Sequence, residues 1–227
     1  MTAQEITYDW LVKNSVEHGY TDHIPHFKKL FELMFEHYLP TTNFFECGVG
    51  FSTKYFIDNC AHVSSVEFIT PQYGPKWMEE CQQLYAGIKN WTPIMYNVSD
   101  EVYKAANYQM SQHKDYARVD DTYVRDLKMF LHIETTVRKY DVAFVDPGIY
   151  LRGDMAELLL QLQIPVVAAH DVNMSNPDNV SLYGWQKIKS TADYEYVFVS
   201  RGAGTGFWIS KELPEVIKGM KEYAELK

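Results

Sequence analysis

The alternation of short apolar runs with helix-length segments is the feature that most constrains how this chain can fold. Such runs predict buried β-strands, and the segments between the first five of them are long enough for crossover helices. Crossover helices join parallel strands and cover both faces of the sheet. The sequence therefore predicts a Rossmann-like, doubly wound, mostly parallel α/β sheet of seven strands, at residues 43–47, 62–68, 92–96, 141–145, 164–169, 194–200 and 206–210.

The two ends of the chain complete this prediction. The segment Arg201-Gly202-Ala203-Gly204 joins the last two runs and predicts a hairpin, so the last strand is expected to be antiparallel. Apolar residues recur every three or four positions from Ile24 onward, which indicates an amphipathic helix. We expect one domain over residues 1–227, with an N-terminal helical cap (1–40), a core (41–210) that carries a helical insertion at about 100–138, and a C-terminal helix (211–227). Further helices are predicted at 52–59, 75–89, 152–163 and 183–190.

The composition disfavours several classes of function. The net charge is −9, whereas a nucleic-acid groove usually needs a basic surface. No run reaches the roughly 18 uninterrupted apolar residues of a membrane span, and the N-terminal MTAQEITYDW lacks the pattern of a signal peptide. The three cysteines form no CxxC pair, which favours a reducing compartment. We therefore expect a cytoplasmic protein that binds neither a membrane nor nucleic acid.

The residues that follow the first two predicted strands indicate a nucleoside site. Ligands bind open α/β sheets beyond the carboxyl ends of the strands. There the sequence ECGVGFS places Gly48 and Gly50, which allow a sharp turn and a close approach of a ligand to the backbone. Glu67 ends the second strand about twenty residues later, where a carboxylate can accept both hydroxyls of a ribose. A plain tight turn and a solvated acid are the alternatives.

The third strand is followed by two polar residues, Ser99 and Asp100. Asp100 can accept a hydrogen bond from the amino group of an adenine. Either residue can equally cap the next helix. Both roles are compatible with this position.

Four polar residues follow the fourth and fifth strands. Asp146 stands after the fourth strand, and His170, Asp171 and Asn173 stand after the fifth. The oxygen atoms of Asp146, Asp171 and Asn173 are suited to a hard divalent cation, although Asp and Asn also stabilise turns. His170 can act as a base because imidazole titrates near neutral pH, or it can be structural. Asp146, His170 and Asp171 are thus the candidate catalytic residues.

These residues, in this order, resemble the class I S-adenosylmethionine-dependent methyltransferases. ECGVGFS is similar to the first motif of that family, Glu67 and Asp100 resemble its ribose and adenine acids, and the terminal hairpin ending in GTGFWIS resembles its last two strands. The resemblance implies the cofactor S-adenosyl-L-methionine. It assigns cofactor binding to Glu46, Gly48, Gly50, Ser52, Thr53, Glu67, Ser99, Asp100 and Asp146.

Within that family the chain most resembles small-molecule O-methyltransferases of the catechol and macrolide-sugar types. This implies O-methylation of a hydroxyl on a small acceptor, with Mg²⁺ held by Asp146, Asp171 and Asn173. The chain departs from these types in two places. Val172 separates Asp171 from Asn173, and Ile149 stands where relatives usually carry a basic residue.

Several other side chains are expected near the acceptor, each with an ordinary surface or packing role as the alternative. Arg152 and Arg201 can bind an acidic group on the acceptor, and the insertion can cap the site or form a homodimer contact. The N-terminal segment can line the substrate mouth with Tyr20, Thr21, His23 and His26.

Two other functions remain open from the sequence. A nicotinamide-dependent oxidoreductase shares the glycine turn and the ribose acid, but here Thr53 stands where its third glycine would be. A non-catalytic cofactor-binding protein of the same fold is the second alternative.

Overall fold

A seven-stranded sheet forms the centre of the protein. The computed structural model describes residues 22–69, 75–98, 121–147, 152–202 and 204–226. The strand order is β3-β2-β1-β4-β5-β7-β6, which confirms the predicted fold class. The strands are β1 (Asn43–Cys47), β2 (His62–Ile69), β3 (Trp91–Asn97), β4 (Val142–Val145), β5 (Val166–His170), β6 (Tyr194–Val199) and β7 (Thr205–Ser210).

The sheet changes its winding direction between β1 and β4. The pairs β1–β2, β2–β3, β1–β4 and β4–β5 are parallel, whereas β7 pairs antiparallel with both β5 and β6. The chain thus runs outward from β1 in one direction and from β4 in the other. Ligands of doubly wound sheets bind in the crevice at such a switch point, so the residues after β1 and β4 face the expected ligand position.

Seven α-helices and one 3₁₀ turn accompany the sheet within the described residues. They are α1 (Ile24–His37), α2 (Thr53–Asn59), α3 (Lys76–Leu84), α4 (Asp121–Val137), α5 (Arg152–Gln161), α6 (Pro177–Tyr183), the 3₁₀ turn Trp185–Lys187, and α7 (Pro214–Glu225). No helix among these is long and apolar enough to cross a membrane.

Helix α1 covers one face of the sheet with aromatic side chains. Pro25 suits the first turn because its missing N–H has no helical partner there. Phe27 is fully buried and its ring lies 4.8 to 5.7 Å from those of Phe44, Phe56, Phe144 and Phe207. Burying one such side chain contributes about 1.5–3 kcal/mol. This cluster fixes the N-terminal end of α1 beside the carboxyl ends of β4 and β5.

Helix α5 lies on the other face and is buried on nearly every side. Its apolar residues Met155, Leu159 and Leu160 pack with Leu127 and Leu131 of α4. Because so little of α5 reaches solvent, its polar residues are buried too. Arg152 and Asp154 are 6% and 9% exposed, respectively.

The helix expected at 183–190 was placed wrongly. The helix is α6, which ends at Tyr183, and only the 3₁₀ turn follows it. The Asn176 side chain caps α6 by accepting hydrogen bonds from the amides of Asp178 and Asn179, and Gly184 ends it in a left-handed conformation. The closing hairpin is confirmed. The N-terminal residues 1–21 and most of the insertion, residues 99–120, lie outside the described residues, so the cap and the insertion stay predictions.

Candidate active site

The loop after β1 packs directly on the end of β4. Gly48 has a φ of +94°, and a Cβ placed on it would lie 2.2 Å from the carbonyl oxygen of Asp146. Only glycine tolerates both this dihedral angle and this approach. Among the described residues, a Cβ on Gly50 would meet nothing nearer than Ser52 Oγ, at 3.9 Å. The first glycine is therefore required by the protein itself, whereas the described residues leave room for a side chain at the second.

Glu67 connects this loop to the end of β2. Its Oε2 atom accepts a hydrogen bond from the Val49 amide at 2.9 Å. The Val49 carbonyl in turn accepts from Trp77 Nε1 at 2.6 Å, and the Gly50 carbonyl from the Tyr85 hydroxyl at 3.2 Å. Burial raises the pKa of Glu67 to about 7. Among the described residues Glu67 Oε1 has no hydrogen-bond donor, so this oxygen is available to a ligand.

Glu46 and Thr53 support the loop from within the protein. Glu46 is fully buried, and its Oε2 atom accepts hydrogen bonds from Thr53 Oγ1 and Ser65 Oγ, both at 2.8 Å. Thr53 Oγ1 accepts from the Gly50 amide at 3.0 Å. Burial raises the pKa of Glu46 to about 8, so at neutral pH this side chain is largely protonated. The structure thus places both residues beneath the loop.

Ser52 lies at the start of α2, where the resemblance places a cofactor residue. It is buried, and its side chain makes no capping hydrogen bond to the helix. Ser99 and Asp100 lie outside the described residues.

A buried guanidinium joins the acids after β4 and β5. Arg152 Nη2 lies 3.0 Å from Asp146 Oδ1, and Arg152 Nη1 lies 2.7 Å from Asp171 Oδ2. Arg152 also donates to the carbonyls of Pro147 and His170, and its guanidinium stacks over the ring of Tyr183. Burial alone would raise the pKa of Asp146, but Arg152 and His170 together hold it below its usual value. Asp146 is therefore ionised at neutral pH.

His170 is held between two carboxylates. Its Nε2 atom lies 2.8 Å from Asp22 Oδ1, and its Nδ1 atom lies 3.4 Å from Asp146 Oδ2. Burial alone would lower the pKa of His170, but the hydrogen bonds to Asp146 and Asp22 outweigh it and raise the pKa to about 10. In this arrangement the ring is an imidazolium at neutral pH, and it holds a proton rather than accepting one.

The histidines of the N-terminal segment lie inside the protein. His23 is 1% exposed and His26 is fully buried, with His26 Nδ1 3.2 Å from the Tyr223 hydroxyl. Both side chains point into the protein, which fits the packing role that was their alternative, and their place at a substrate mouth stays a prediction. Tyr20 and Thr21, assigned to the same mouth, lie outside the described residues.

Three more residues were considered for the site from the sequence: Asn173, Arg201 and Ile149. The Asn173 Oδ1 atom accepts hydrogen bonds from the amide and the hydroxyl of Ser175, which is the turn chemistry weighed as its alternative. Arg201 is exposed in the hairpin. Ile149 lies outside the described residues.

The resemblance implies a magnesium ion between the two acids Asp146 and Asp171. Mg²⁺ requires several oxygen ligands in near-octahedral geometry. One oxygen of each acid is paired with Arg152, and Asp146 Oδ2 lies beside His170. The guanidinium thus supplies the positive charge between Asp146 and Asp171, and the residues as placed do not fit Mg²⁺ there.

Comparisons with known proteins give only distant similarities. No protein-family model matches the chain, and no curated protein matches it in sequence. The O-methyltransferase TomG of Streptomyces achromogenes, solved with S-adenosylmethionine, is similar with a TM-score of 0.47 and 13% identity, over 82% of this chain and 79% of that one. The methyltransferase PaMTH1 of Podospora anserina, solved with S-adenosylhomocysteine, has a TM-score of 0.46 and 10% identity, over 80% of this chain and 76% of that one. A Corynebacterium glutamicum protein has a TM-score of 0.48 and 10% identity, over 88% of this chain and 87% of that one. These values identify neither an activity nor a substrate.

Proposed function

We propose that this protein is an S-adenosylmethionine-dependent methyltransferase that methylates a hydroxyl oxygen of a small acceptor, such as a sugar or a catechol-like ring. The observation that carries the proposal is the loop at the switch point. Its backbone is fixed by Gly48 and by the bond from the Val49 amide to Glu67, beside a second glycine at which the described residues leave room. Glu67 Oε1 then accepts from the ribose hydroxyls of the cofactor.

The cofactor would supply a methyl group on a positively charged sulfur atom. Gly48, Gly50 and Glu67 would hold the cofactor. The residues at the ends of β4 and β5 would hold the acceptor hydroxyl against it, and such positioning supplies much of the rate of a transfer reaction. Asp146, His170 and Asp171 lie at the ends of β4 and β5, Arg152 begins α5 beside them, and these four residues would bind the acceptor.

The charges of these four residues suit a hydroxyl nucleophile. The Arg152 and His170 cations lower the pKa of a hydroxyl that approaches them. Asp171, whose side chain is 24% exposed, takes the proton as the new bond forms. His170 keeps its own proton and orients Asp146, so we assign it a positioning role instead of the role of base.

The proposal requires no magnesium ion between Asp146 and Asp171. Arg152 holds the positive charge that the metal would supply in the types that the chain resembles. Methyl transfer should therefore persist in a chelator and show no dependence on added Mg²⁺.

A methyl-transfer assay tests the function. Full-length protein is incubated with S-adenosylmethionine labelled on the methyl group and a panel of sugar, catechol and other hydroxyl compounds, with and without a chelator. We expect label in at least one acceptor, and its loss in Asp171→Asn. Tight cofactor binding with no transfer to any acceptor would instead support a non-catalytic binding protein, for which the protonated His170 is the favouring observation.

The location and the assembly of the protein are two further proposals. We infer a cytoplasmic protein from the reduced cysteines, since Cys47, Cys60 and Cys81 are all unpaired and buried. We also propose a homodimer formed through the 100–138 insertion. Size-exclusion chromatography with light scattering tests the dimer, which a monomer at micromolar concentration would contradict.

A further inference from the structure

We propose that Asp22, His23 and His170 form a binding site for a first-row divalent transition metal such as Zn²⁺. The three side chains come from the start of α1 and the end of β5, and each offers one ligand atom within 4.8 Å of the others. Two imidazole nitrogens and one carboxylate oxygen are ligands that such metals take readily. The site shares His170 with the proposed acceptor-binding residues, and a metal at His170 Nε2 would replace the proton on that atom. Metal binding itself does not depend on methyl transfer.

The spacing of the ligand atoms is close to that of a metal site. Ligands at about 2.0–2.1 Å from zinc lie about 3.3 Å from one another in a tetrahedron. Here His170 Nε2 lies 2.8 Å and His23 Nδ1 3.9 Å from the same atom, Asp22 Oδ1. Small side-chain movements would therefore bring all three atoms to a shared ion.

His23 supplies the independent observation that points to a ligand. Its ring is 1% exposed, and neither of its nitrogen atoms has a hydrogen-bond partner among the described residues. Burying a polar group without a partner costs free energy, and native proteins do so rarely. The ring packs among Phe27, Phe56 and Phe144, where another phenylalanine would be buried at a lower cost in free energy. A metal bound to Nδ1 would satisfy one of these two nitrogen atoms.

The surroundings also orient the other two ligands. His170 Nδ1 faces Asp146 Oδ2 at 3.4 Å, which is the carboxylate contact that commonly fixes a metal-binding histidine. Asp22 lies against the β6–β7 hairpin, because a Cβ on Gly202 would fall within 1.4 Å of Asp22 Oδ2. Asp146 thus orients the His170 ring, and the hairpin packs against Asp22.

In a second cluster an arginine is paired with both acids. Asp146, His170 and Asp171 also lie close together, but Arg152 pairs with one oxygen of each acid. His170 belongs to both clusters, and each of its nitrogen atoms can bind only one metal ion. With three protein ligands, the proposed site would keep an open position for water or another oxygen donor, as catalytic zinc sites do.

The test measures metal binding by the full chain without any cofactor. Protein is dialysed against a chelator and then titrated with Zn²⁺ in a calorimeter, and the Co²⁺ form is examined by visible absorption. We expect one equivalent to bind and the Co²⁺ form to show bands of tetrahedral or five-coordinate geometry. Changing a residue that only orients a metal ligand lowers metal affinity by roughly 10–100-fold. His23→Phe removes a ligand itself, so it should weaken Zn²⁺ binding by more than that.

Two variants and two controls make the result decisive. Asp22→Asn, which changes a partly exposed side chain, should also weaken binding, and it serves if His23→Phe folds poorly in a thermal melt. His132→Phe replaces an exposed histidine of α4 and should leave the affinity unchanged. Asp171→Asn removes a carboxylate 3.9 Å from His170 Nδ1 and should weaken binding by less than His23→Phe does. Absence of stoichiometric binding, equal binding in His23→Phe and Asp22→Asn, or loss in Asp171→Asn alone would each overturn the proposal. S-adenosylmethionine binding is measured separately, so either proposal can fail without the other.

Discussion

The loop after β1 and the ends of β4 and β5 are neighbours, but different forces hold them in place. The loop is fixed by a left-handed glycine and by hydrogen bonds to Glu67, Trp77 and Tyr85. The strand ends are fixed by ions, with Arg152 and His170 between three carboxylates. A binding site for a nucleoside needs a backbone of fixed shape, whereas a site for proton removal needs fixed charges. The two regions should therefore respond differently to substitution and to pH.

Removal of the guanidinium should have the largest effect. Arg152→Met leaves Asp146 and Asp171 unpaired in a mostly buried site, and breaking a buried ion pair in this way costs about 3–5 kcal/mol. We expect that loss in the free energy of unfolding, measured with denaturant. Arg125→Met, at an exposed position of α4, should change stability by roughly 0.5 kcal/mol or less. A loss no larger than that in Arg152→Met would mean that the strand ends do not depend on this cation.

A methyl group on the first glycine should have the next largest effect. Gly48→Ala combines an unfavourable φ with an overlap on the Asp146 carbonyl, so we expect a loss of about 3 kcal/mol. Gly87→Ala is the matched control. Gly87 also has a positive φ, of +83°, but a Cβ there meets nothing within 4 Å, so only the conformational cost of about 1–2 kcal/mol remains. Equal losses in the two variants would show that the close approach at Gly48 is not important.

Glu46 should make stability depend on pH. Burial raises its pKa from the ordinary value of 4.5 to about 8 in the folded protein. The folded state then holds the proton more tightly, so stability is highest below pH 4.5 for this group and falls as pH rises toward 8. Glu46→Gln should remove a decline on the order of 2 kcal/mol, measured by denaturant unfolding from about pH 6.5 to about pH 9. An unchanged pH profile would contradict the buried, protonated state.

Cofactor affinity should show the smallest change with pH. The pKa of Glu67 is raised to about 7 by burial, and the ionised form accepts hydrogen bonds from ribose hydroxyls more strongly than the neutral form. Affinity for S-adenosylhomocysteine should therefore fall several-fold, roughly 1 kcal/mol, as pH is lowered from 8 to 6. Glu67→Gln should give a flat profile. A slope that persists in this variant would assign the titration to another group.

The sequence predicted the sheet well because the relevant signals are local. Each strand and its crossover helix has its own periodicity, and Arg201 to Gly204 mark the final hairpin. The strand ends could be located for the same reason, and Gly48, Glu67, Asp146 and Asp171 lie at them as predicted. Helix α6 was missed although its signal, Asn176 before Pro177, was present in the sequence.

The parts of the site that were not predicted arise from contacts between distant segments. Arg152 was expected to meet the acceptor, and its pairing with Asp146 and Asp171 depends on how deeply α5 is buried. The contact of Asp22 with His170 joins residues 148 positions apart. No periodicity or spacing in a single sequence encodes such a contact. The buried state of His23 likewise follows only from the docking of α1 on the phenylalanine cluster.

Isothermal titration of the wild-type protein with S-adenosylmethionine and with S-adenosylhomocysteine tests the central claim most directly. We predict that both bind in a chelator, that NADH does not compete, and that Glu67→Ala weakens binding by roughly tenfold or more, as expected for the loss of a charged hydrogen-bond pair. Glu79→Ala, at an exposed position of α3, should bind as the wild type does. Binding of NADH in place of S-adenosylmethionine, or equal affinity in the wild type and Glu67→Ala, would contradict the account.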